Sequence, residues 1–95
     1  MLSKIPNTTN KLNKETLDKE ILRAGIVAEL DAINLYEQMA AMANDPLIKK
    51  MLLDIAKEEK THVGEFQTLL LAFDQEQAKE LEEGKKEIEE LKEEI

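Results

Sequence analysis

Between Asn13 and Asn44, the positions Leu22, Gly25, Ile26, Ala32, Ile33, Tyr36, Ala40 and Ala43 fall on one broad face at 3.6 residues per turn. This period predicts a long first helix, capped by Asn13 and carrying Glu15 in the first turn, where the helix dipole favours a carboxylate. At about 1.5 Å per residue, its roughly 30 residues span about 45 Å. Asn44, Asp45 and Pro46 then interrupt the pattern. Asp45 can cap a new helix whose first position, Pro46, has no N–H to leave unpaired. The second helix carries Ile48, Leu52, Ile55, Phe66, Leu69, Leu70 and Phe73 on one face and runs to about Ala72. So short a connection folds the two helices into an antiparallel hairpin. Asp74 followed by Gln77 has the spacing of a capping box and predicts a third helix over about 75–94. Gly84 weakens that helix, and Leu81, Ile88, Leu91 and Ile95 form a narrow stripe between charges, as in helices that pair between subunits. The fold class is therefore all-α, an antiparallel two-helix hairpin plus a shorter C-terminal helix. Residues 1–13, with Pro6 and the polar run Asn7, Thr8, Thr9 and Asn10, read as a flexible arm, 14–74 as the hairpin and 75–95 as an assembly helix.

Three polar residues break the apolar faces. Glu29 lies in the middle of the first, and Glu59 and His62 stand one turn apart on the second, His62 being the single histidine of the chain. Burying bare carboxylates is expensive, and no Lys or Arg occupies the same heights on those faces, so a bound cation is the natural source of the missing charge. In a hairpin turning near 44.5, Glu29 lies 15.5 positions before the turn and the midpoint of Glu59 and His62 lies 16 after it. All three side chains are therefore expected at one level. A Glu plus Glu-x-x-His is half of the ligand set of a ferritin-like di-iron bundle, and with no second histidine the simplest completion is a second copy about a two-fold axis. Glu65, one turn beyond His62, is a candidate for a secondary or exit site. Met39, Met42 and Met51 are expected as core filler, because soft thioethers suit a hard ion poorly.

Composition narrows the alternatives. With 3 Gly and 2 Pro in 95 residues there is too little turn material for a sandwich or barrel, and with 0 Cys there is no disulfide framework or thiol nucleophile. A formal charge of −8 argues against nucleic acid or an anionic membrane as partner and for cations. No apolar run reaches the roughly 18 residues of a membrane span.

The segments AELDAINLYEQMA (28–40) and LLDIAKEEKTHVGEF (52–66) resemble the encapsulated ferritins. The resemblance implies a four-helix ferritin-like bundle completed by dimerisation, an annular decamer of five dimers, and residence inside an encapsulin shell in a prokaryotic cytoplasm. It implies a ferroxidase that oxidises Fe(II) to Fe(III) with dioxygen at two irons per dimer, where calcium or other divalent ions can act as surrogates. By the same resemblance, Glu29 is the bridging ligand, Glu59 and His62 are the terminal pair, Tyr36 lines the site, and Asp31 stands where the family often carries an outer acid of an iron entry path. Some members of the family are fused directly to a shell protein, so the chain can be one domain of a longer protein. Two other readings of the same residues are a rubrerythrin-like di-iron peroxidase and a metal-free helical assembly module in which the three polar groups fix register.

Overall fold

The computed structural model describes residues 14–95, so the arm expected over 1–13 lies outside the described residues. Three helices follow one another, α1 (Lys14–Met42), α2 (Pro46–Phe73) and α3 (Gln75–Glu93), and no strand occurs among the described residues. The first connection is the cap predicted for it. The Asp45 side chain accepts from the backbone N–H groups of Leu47 at 2.7 Å and Ile48 at 3.3 Å, satisfying two donors that a helix start leaves open. With only Ala43, Asn44 and Asp45 between them, α1 and α2 pack antiparallel along their length.

The seam between them is narrow. Leu22, Ile33 and Ala40 of α1 meet Leu52, Ala56 and Leu70 of α2 as the buried layer. The alanines let the helix axes approach near the turn, and Gly25 does the same further along, where its bare Cα faces the ring of Phe66. Several positions expected in the core are instead exposed in the single chain: Ile48, Leu69 and Phe73 of the α2 face, and Met42 and Met51 near the turn. Two helices bury only the stripe where their ridges interlock, so the flanks of a broad apolar face stay in solvent until a further layer covers them. Ala56, absent from the predicted face, is buried because the contact favours a small residue there.

Asp74 alone joins α2 to α3. Its N–H donates to Leu70 O at 2.8 Å, closing α2, while its Oδ1 accepts from the Gln77 N–H at 3.0 Å, opening α3. Its Oδ2 accepts from Arg23 Nη2 on α1 at 2.7 Å. The Gln77 N–H, and after it the Arg23 guanidinium, hold this carboxyl below its ordinary range against a smaller opposing effect of burial. Beyond the joint, α3 packs only against α2 and has no buried residue.

Candidate metal centre

The hairpin register decides which polar side chains meet. Glu29 of α1 faces His62 of α2, and one turn away Gly25 faces Phe66 in the same register. Glu59, a turn before His62 on α2, completes the group. One ligand atom from each of Glu29, Glu59 and His62 lies within 4.8 Å of the others, and among the described residues no other group of three potential metal-ligating side chains forms.

The geometry leaves room for an ion. His62 Nδ1 is 3.4 Å from Glu29 Oε2 and 3.5 Å from Glu59 Oε2, and neither contact is a hydrogen bond. Two ligand atoms each about 2.1 Å from one ion, at angles of about 90° to 110°, lie about 3.0 to 3.4 Å apart, so the observed separations are close to what a shared cation needs. The side chains of Glu29 and Glu59 are 20% and 18% exposed and that of His62 is 43% exposed, which puts the group at the edge of the seam with one side open. Glu29 Oε2 is shut off from solvent and has no hydrogen-bond partner. No Lys or Arg among the described residues pairs with Glu29 or Glu59. Lys60, adjacent in sequence, reaches Glu37 on α1 at 3.3 Å instead. A carboxylate oxygen taken out of water without a hydrogen bond is not by itself a cation site, since Glu20 Oε2 is equally buried and unbonded, but Glu29 Oε2 has two further ligand atoms beside it that could share an ion. Two carboxylates and one imidazole suit a hard or borderline divalent ion such as iron.

The other candidates lie outside this group. Tyr36 is half-buried on α1, two turns beyond Glu29. Asp31 is exposed and borders a shallow groove with Val27, Leu30 and Asn34 on the outer side of α1. Glu65 is exposed on α2. Two features were not anticipated from the residues. The Arg23–Asp74 ion pair joins positions 51 apart, and nothing local in the sequence announces it. The Gly25–Phe66 contact had a signal, a glycine within a helical apolar face, which marks either a weak point or a close approach.

A short helical hairpin with one carboxylate on its first helix and Glu-x-x-His on its second has the arrangement of one half of a ferritin-like bundle. The chain belongs to the EncFtn-like family, whose model matches residues 4–84. It is 54% identical over 93 residues to the ferritin-like-encapsulin shell fusion protein of Pyrococcus furiosus, covering 96% of this chain and 27% of that protein. The chain thus spans about a quarter of the length of that curated relative. It also matches the crystal structure of the encapsulated ferritin domain from Pyrococcus furiosus at a TM-score of 0.82 and 53% identity, over 96% of this chain and 95% of that one. No helix among the described residues is long and apolar enough to cross a membrane.

Proposed function

We propose that the chain is a ferroxidase: two copies enclose a di-iron site to which each contributes Glu29, Glu59 and His62, and Fe(II) is oxidised there to Fe(III) with dioxygen. Glu29 carries this reading, because its buried Oε2 has no hydrogen-bond partner among the described residues and stands 3.4 Å from His62 Nδ1. Bound iron supplies the electrons that dioxygen takes up, and hard carboxylate oxygens favour the ferric state. The residues themselves hold and orient. Glu29, at the edge of the seam, would reach across to a second chain, while Glu59 and His62 would hold the ion from α2. Four carboxylates from two chains carry the charge that neutralises two divalent ions.

Pairing of chains has independent support. Leu30, Leu35, Leu47, Leu53 and Leu69 are among the large apolar residues that the single chain leaves exposed, more than the flanks of a self-sufficient hairpin would carry. A second hairpin laid on these flanks would complete a four-helix bundle. The stripe of α3, exposed along its length, would then pack on a neighbouring subunit and extend the dimer to a ring. Fusion of the Pyrococcus relative to a shell protein supports an encapsulin as partner, with the iron stored inside its compartment in a prokaryotic cytoplasm. The test is Fe(II) oxidation followed by ferric absorbance with dioxygen and with hydrogen peroxide as oxidants. Faster turnover with dioxygen that is lost in His62→Ala supports a ferroxidase; faster turnover with peroxide would favour a rubrerythrin-like peroxidase; no oxidation by either would remove the enzymatic reading.

A further inference from the structure

We infer that Gly25 and Phe66 are positioning residues for the metal centre: their contact fixes the spacing of α1 and α2 one turn from Glu29 and His62. The inference rests on the reading of Glu29, Glu59 and His62 as ligands. Gly25 precedes Glu29 by four residues and Phe66 follows His62 by four, so both pairs stack on the same faces of the same two helices, one turn apart. A Cβ on Gly25 would lie 2.6 and 2.8 Å from two carbons of the Phe66 ring and closer still to a third, well inside van der Waals contact. The other two glycines, Gly64 and Gly84, have open space where a Cβ would go. Glycine at position 25 therefore serves a close approach rather than mere tolerance of a small residue. The ring occupies the space that a side chain at position 25 would fill. An added methyl must push the ring aside or part the helices, and where the helices part the opening is felt at the next turn, where His62 Nδ1 stands 3.4 Å from Glu29 Oε2. An ion held between side chains of the two helices tolerates little of that movement.

Three variants separate positioning from general stability. Gly25→Ala adds the methyl, Phe66→Leu removes the ring, and the double variant Gly25→Ala/Phe66→Leu exchanges one volume for the other. Co(II) binding, read by its ligand-field absorbance, should weaken at least about tenfold in Gly25→Ala and a few-fold in Phe66→Leu, and recover to within about threefold of wild type in the double variant. A second readout needs no metal. His62 is the single histidine, so its ring protons are assignable at once by NMR, and their Overhauser contacts to the Glu29 side chain should be present in the metal-free wild type, lost in Gly25→Ala and restored in the double variant. Should Gly25→Ala not fold, Phe66→Leu and the double variant carry the same comparison. Equal Co(II) affinity and equal Overhauser contacts in every folded variant would overturn the positioning role and leave the ligand assignment standing. Contacts that respond as described in a wild-type protein that binds no Co(II) would uphold the spacing and overturn the ligand assignment.

Discussion

Replacing Glu29 by Gln should make the metal-free protein more stable while destroying its response to metal. Glu29 and Glu59 bring carboxylate oxygens within 4.8 Å of each other with no Lys or Arg between them, and one oxygen of Glu29 is sealed from water without a partner. At 4.8 Å, the upper limit of that separation, two unit charges repel by about 0.9 kcal/mol at the dielectric constant of water and by about 3.5 kcal/mol at an effective value of about 20. With the two side chains 20% and 18% exposed, a value between these limits applies, about 2 kcal/mol. The amide of Gln keeps the shape, removes one charge and offers an N–H₂ donor to the remaining carboxylate. For a domain of this size each kcal/mol moves the midpoint by about 4–8 °C, so Glu29→Gln should melt about 8–16 °C above wild type in chelator. Divalent metal reverses the order. An ion at about 100 times its dissociation constant stabilises the wild type by about 2.7 kcal/mol and leaves the variant where it was. Thermal melts by far-UV circular dichroism, at one protein concentration, with chelator and then with Fe(II) under nitrogen, measure both effects. A variant that melts at or below wild type in chelator would refute the claim that Glu29 is electrostatically unsatisfied.

Glu59→Ala and His62→Ala should each cut Fe(II) oxidation sharply while far-UV helicity is retained, because on the proposed reading each removes a ligand that recurs twice by symmetry; a wild-type rate in His62→Ala would exclude it as a ligand. Truncation after Asp74 should lower the assembly state before it abolishes ion binding, since Glu29, Glu59 and His62 all precede that residue, and light scattering with and without Fe(II) would show an unchanged large assembly if α3 were dispensable. Asp74 has a carboxyl pKa lower folded than unfolded, first through the Gln77 N–H and then through Arg23, so its stabilisation of the α2–α3 joint is complete above about pH 4 and is lost as pH falls through the depressed value. Helicity followed from pH 5 to 2 should show a loss that is absent in Asp74→Asn; identical profiles would mean the carboxylate does not hold the joint.

Local chemistry made the helices legible. Asp45–Pro46 and Asp74 with Gln77 are capping signals read from neighbouring residues, and the helices begin at Pro46 and Gln75 as those signals require. The meeting of Glu29 with Glu59 and His62 was legible for a similar reason: a three-residue connection leaves an antiparallel pair one register, so equal distance from the turn becomes equal height. What the sequence did not disclose depends on how much of each face is covered. Ile48, Leu69 and Phe73 share their face with Leu52 and Leu70, yet periodicity does not distinguish the buried centre of a stripe from its exposed flanks. The Arg23–Asp74 pair was hidden because it depends on where the end of α2 passes α1, a tertiary fact about residues remote in sequence.

Anomalous scattering at the iron edge, from crystals grown with Fe(II) under nitrogen, tests the shared site most directly. Two iron peaks on or about a two-fold axis, each within bonding distance of Glu59 and His62 of one chain and with the Glu29 side chains of both chains between them, are the predicted result. Iron bound within a single chain, or at acidic side chains other than Glu29 and Glu59, would contradict it.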